Sequence, residues 1–133
     1  MKTVRFTFKG DLWNVYLVPA DEMEHLAGDA DVPAYVEPID QEIYFSDDSE
    51  LNLPNVLHEL WHVAFSYQYI ASANLTSDQT EEVSAEVFST DAEKLVRLGH
   101  ELLSVLKELR DLKNKEDVEI NLDERKEKAR QKK

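Results

Sequence analysis

His58-Glu59-Leu60-Trp61-His62 decides how this chain is read. Two histidines stand four residues apart, and a glutamate follows the first. On a helix, residues four apart lie one above the other on the same face, so both imidazoles can reach one divalent ion. The pattern carries that meaning only on a helix. The flanks predict one. Val56, Leu60, Val63 and Tyr67 recur about one helical face apart, and Leu53-Pro54, with Asn52 or Ser49 as the cap, marks a start near residue 53. The helix is expected to end near Ile70 or Ala73.

A zinc ion bound tetrahedrally by protein nitrogens and oxygens needs a third ligand if one position is to stay open for water. One helix cannot wrap the ion, so that ligand must come from elsewhere. After a loop over Asn74 to Asp78, Thr80 or Asp78 can cap a second helix that begins with Glu81 and Glu82. Glu81, Glu82 and Glu86 compete for the role. Glu82 and Glu86 share a face, while Glu81 points about 100° away from Glu82. Glu82 is the favoured ligand, and Glu86 the group that accepts a hydrogen bond from a ligand histidine. Acidic residues in a first turn also suit the helix dipole, which is a purely structural reason for them. Glu59 is expected to be a base and not a ligand, taking a proton from the attacking water. His100, Tyr67, Tyr69 and His25 are candidates to stabilise an oxyanion. A short motif can arise by accident, but the chain has only 4 histidines and two of them fall at this spacing. The plain alternative is a helix carrying two ordinary histidines, one paired with Glu59 or Glu86.

Upstream, Val4, Phe6 and Phe8 alternate along one strand. Lys9-Gly10-Asp11 is turn-like, and Leu12 to Val18 forms a second strand, which together predict a hairpin. Ala20 to Ala27 reads as a short helix, Gly28 to Asp31 as a loop, Ala34 to Ile39 and Glu42 to Phe45 as strands, and Ser46 to Glu50 as a polar loop. The expected sheet is small, antiparallel or mixed, and precedes the motif helix. From Asp91 to about Lys113, Leu95, Leu98, Leu102, Val105, Leu109 and Leu112 form a helical stripe in which Gly99 is a weak point. The class is therefore α+β, with one domain over residues 1–112 and a charged, flexible tail over 113–133.

Composition narrows the function. The chain has 133 residues, 42% of them hydrophobic, and no cysteine, so disulfides and thiolate metal sites are excluded. Its net charge is −13, and residues 1–112 carry 7 basic against 22 acidic residues. Such a body repels phosphates, so nucleic acid is not an expected partner; the charge serves solubility or, where the field is focused near the cleft, attracts basic protein segments. No signal peptide or membrane span is legible, and the expected setting is the cytoplasm.

The span from Glu42-Ile43-Tyr44-Phe45 through Val56-Leu57-His58-Glu59-Leu60-Trp61-His62 to Glu82-Val83-Ser84-Ala85-Glu86-Val87-Phe88 resembles the minimal core of the gluzincin metallopeptidases. Within that group it is most similar to the ImmA/IrrE-type family of phages and mobile elements. The likeness covers about half the chain. It implies a small sheet packed on the H-E-x-x-H helix and the helices that follow. It also implies zinc held by His58, His62 and Glu82, Glu59 as general base, and Glu86 orienting a ligand histidine. Many members carry asparagine where this chain has Glu86. The resemblance further makes Glu42, Ile43, Tyr44 and Phe45 the sheet edge along which a peptide substrate is added as a strand. The expected activity is hydrolysis of peptide bonds in a protein, by analogy a transcriptional regulator. The rivals are a zincin-like binding module without turnover and an interaction protein of a phage or mobile element. Neither an oligomeric state nor a substrate identity is written in the sequence.

Overall fold

A computed structural model describes residues 2–27, 34–47, 51–71, 76–112 and 117–131. The expected loop at Gly28 to Asp31, residues 48–50 of the polar loop with the alternative cap Ser49, and residues 74 and 75 of the inter-helix loop lie outside the described residues. In chain order the elements are β1 (Lys2–Phe8), β2 (Asp11–Val18), α1 (Ala20–Ala27), β3 (Ala34–Glu37), β4 (Glu42–Ser46), α2 (Leu53–Ala71), α3 (Ser77–Asp111), β5 (Val118–Asn121) and α4 (Leu122–Gln131). The class is α+β, as expected.

The β1–β2 hairpin closes through Lys9 and Gly10, at φ of 50° and 85°. Two successive positive φ values match the right-handed twist of the flanking strands. No neighbour lies within 4 Å of a Cβ built on Gly10, so its backbone conformation, not space, calls for glycine there. The five strands lie in the order β3-β4-β2-β1-β5. Pairing is antiparallel within β1–β2 and β3–β4, and parallel for β2–β4 and β1–β5.

Period-two alternation gives the sheet two unlike faces. Val4, Phe6, Phe8, Trp13, Val15, Leu17, Ile43 and Phe45 point inward and share one core with residues of α2, α3 and α4. On the other face Val18 and Met23 are buried but lie outside that core, where α1 packs against β3 and β4.

Asn52 caps α2: the Asn55 N–H donates to Asn52 Oδ1 at 2.9 Å. Val56, Leu60, Val63 and Ala64 are buried, so the apolar face read from the sequence is the inward face. The cap of α3 lies earlier than expected. It is Thr76, not Thr80 or Asp78, in a reciprocal capping box with Gln79. The Thr80 hydroxyl instead donates to the Thr76 carbonyl. The helix that begins there runs unbroken for 35 residues and takes in the leucine stripe. The helix continues through Gly99, which faces α2. A Cβ there would stand 2.6 Å from Leu57 Cδ2, so Leu57 fills the space left by the glycine and its side-chain end would have to swing aside for a larger residue. Near mid-helix, buried Asp91 ties α3 to the hairpin. Lys9 Nζ is 3.0 Å from its Oδ2, although off the direction of a good hydrogen bond.

The tail departs most from expectation. Residues 118–131 are not a flexible extension but part of the domain. β5 pairs with β1, from Lys2 opposite Val118 to Arg5 opposite Asn121. Asn121 Oδ1 accepts from the N–H groups of Asp123 and Glu124 and so starts α4. Leu122 is buried in the core, and Arg125 and Lys126 meet Glu108 and Glu101 of α3.

Candidate metal centre

Helix α2 sets His58 and His62 one turn apart on the side turned away from the core. Their Nε2 atoms are 3.2 Å apart, and the rings meet edge to face with centroids 4.8 Å apart. Two nitrogens bound tetrahedrally to zinc at about 2.0–2.1 Å would lie roughly 3.3–3.4 Å apart. The imidazoles therefore already stand at a chelating separation. The same distance would suit an N–H···N bond between neutral rings, so it fits zinc without requiring it. His62 is exposed as a residue, yet part of its ring lines a cleft. Partial burial there, and then the charge of His58, hold its pKa below that of a free imidazole. That favours the neutral ring, which is the form that binds metal.

Glu59 is only 8% exposed and lines the same cleft. Burial raises its carboxyl pKa, and the neighbouring His58 works against the rise. Desolvation of this kind makes a carboxylate a better proton acceptor. The cleft, of about 540 Å³, runs between α2 and β3. Its walls are His58, Glu59, His62 and Phe65 on one side and Ala34, Tyr35, Val36 and Pro38 on the other.

The carboxylates of α3 are placed differently from the expectation. Glu82 and Glu86 are exposed and line a separate groove with Gln79, Val83 and Ala85. Glu81 lines another, with Trp61, Thr80, Ser84, Ala85 and Phe88. Among the described residues no group of three His, Asp or Glu stands together as a metal-holding set. The physical reason is the roll of α3 about its axis. Packing of Phe88 on Trp61, with centroids 6.0 Å apart, turns the stripe of Glu81, Ser84, Ala85 and Phe88 toward α2. Glu82 is then about 100° further round.

The substrate edge also moves. Glu42, Ile43, Tyr44 and Phe45 form β4, which is paired on one side with β2 and on the other with β3. Ile43 and Phe45 are core residues, and Glu42 accepts a hydrogen bond from the Tyr44 hydroxyl at 2.7 Å. Among the described residues the outermost strand beside the cleft is β3. Ala34, Tyr35, Val36 and Phe65 thus line the candidate cleft, which the sequence did not indicate. Their strand and helix were legible, but strand order is a long-range property. His25 and His100 are exposed and are not among the residues lining the cleft. The side chains of Tyr67 and Tyr69 lie outside the described ones.

Comparison with known protein families, curated proteins and solved structures returns no match. Among the described residues no helix is long and apolar enough to cross a membrane.

Proposed function

We propose that the protein is a zinc-dependent metallopeptidase acting on extended protein segments. The observation that carries the reading is the convergence of His58 and His62 Nε2 to 3.2 Å beside a desolvated Glu59, all in one cleft. His58 and His62 would hold the ion; Glu82, which lines a separate groove, would complete the set only if the first turns of α3 unwound and re-formed against the cleft. When bound, zinc acidifies water and polarises a carbonyl. The chain's own residues supply the rest. Glu59 accepts the proton of the attacking water and returns it to the leaving amine. The outer edge of β3 offers backbone groups that can hold a peptide extended along the cleft. The apolar walls at Val36, Pro38 and Phe65 exclude water from it.

The outward position of Glu82 favours a second reading, a zincin-like module that binds a partner without turnover. Zinc content and cleavage of an unstructured polypeptide, measured on wild type, Glu59→Gln and His58→Ala, separate the two. The peptidase reading expects Glu59→Gln to keep its zinc and lose activity by about 10²–10⁴-fold, and His58→Ala to lose both. Zinc uptake with equal, negligible cleavage by wild type and Glu59→Gln would establish the binding module instead.

A further inference from the structure

The face of the sheet turned away from the main core, which α1 shares, carries a row of three aromatic rings, of which only Tyr35 also lines the histidine cleft. Tyr35, Tyr44 and Tyr16 are direct neighbours across β3, β4 and β2. Tyr16 and Tyr44 stack with centroids 5.2 Å apart, and Tyr35 leans on Tyr44 at 6.3 Å. All three are half-buried. Two residues along the strands, on the same face, Glu37 stands directly opposite Glu42. Like charges paired across two strands destabilise a sheet unless a cation lies between them. Among the described residues neither glutamate enters an ion pair. Glu42 is held in place by Tyr44, which donates to it at 2.7 Å, and burial and then the charge of Glu42 raise the Tyr16 pKa.

The same face already shows what it takes. Farther along the row of Glu37 and Glu42, Arg5 donates through Nε to Asn14 at 2.9 Å and forks onto Glu119 through two bonds of 3.2 Å. A planar guanidinium can stack on a ring face and pair with a carboxylate at once, which an ammonium does less well. We propose that this face binds an arginine-rich peptide segment, with its guanidinium groups on the Tyr35–Tyr44–Tyr16 row and against Glu37 and Glu42. Charge complementarity extends beyond the patch, because residues 1–112 carry 22 acidic and only 7 basic residues. Tyr35 belongs both to the row and to the wall of the histidine cleft, so a segment docked here ends beside the cleft. The inference stands without the peptidase reading.

The test is calorimetric titration of the full chain, in chelator and so free of zinc, with a capped hexa-arginine peptide. Glu37→Gln with Glu42→Gln should weaken binding roughly tenfold. The same charge change on the exposed surface of α4, Glu124→Gln with Glu127→Gln, should weaken it less than about twofold. Tyr35→Ala should weaken it and Tyr35→Phe should not, because the ring and not the hydroxyl receives the cation. Hexalysine should bind more weakly than hexa-arginine. Thermal unfolding of each variant shows that it is folded. Equal weakening by the two double variants would mean diffuse attraction to an acidic body and would overturn the site, as would an absence of binding. Glu59→Gln should bind the peptide as wild type does, which keeps this outcome separate from that of the cleavage assay.

Discussion

The two halves of α3 are built for different tasks. From Asp91 onward the helix buries Leu95, Leu98, Leu102, Val105, Leu106 and Leu109, several of them completely. From Thr76 to Thr90 only Val87 is buried among the described side chains, and Phe88 is 63% exposed. The far half is architecture. The near half carries Glu81, Glu82 and Glu86 and is held by a capping box, by Val87 and by the contact of Phe88 with Trp61. A helix segment with so little buried apolar surface can fray or unwind at small cost, whereas the leucine half cannot. The carboxylates that a metal would need thus sit on the least anchored turn of the longest helix.

The contrast can be broken most easily at Leu102, which is fully buried. Leu102→Ala should cost about 2–5 kcal/mol in urea unfolding, while Phe88→Ala should cost far less. Similar losses at the two positions would abolish the distinction. A smaller effect is expected at the cap. Thr76→Ala should cost about 1 kcal/mol, with faster amide exchange confined to the first turns of α3 and none beyond Asp91. Exchange that quickens along the whole helix would show one cooperative unit instead of two. The smallest effect sharpens the contrast most. Without zinc, Glu82→Gln should leave the unfolding midpoint unchanged, since the side chain is exposed. With zinc, wild type should gain exchange protection between Thr76 and Thr90, and Glu82→Gln should not. Protection retained by Glu82→Gln would assign the third ligand to another residue.

Much of the fold was legible in local pattern. The limits expected for α1, the start of α2 and the four early strands agree with the structure within a residue or two, because each carries its own periodicity and punctuation. Three features were not. The cap of α3 was placed too late, since Thr76, Asp78 and Thr80 all suit the role and only the reciprocal bond with Gln79 selects one. β5 escaped notice because Val118 and Ile120 are too short an apolar pattern to stand alone; the strand exists because the edge of β1 is there to pair with it. β4 was assigned the substrate edge, but which strand is outermost depends on β3 returning to cover it.

The candidate site divides in the same way. That His58 and His62 share a face follows from a spacing of four on a helix, and the flanking apolar residues and Asn52 make that helix, so the sequence alone determined the chelating pair. The burial of Glu59, the cleft against β3 and the outward position of Glu82 were decided by tertiary structure. They depend on how α2 sits over the sheet and on the roll of α3, which turns Gly99 toward Leu57 and Phe88 toward Trp61. No local pattern encodes those contacts, because each joins residues far apart along the chain whose meeting is a property of the whole packed core.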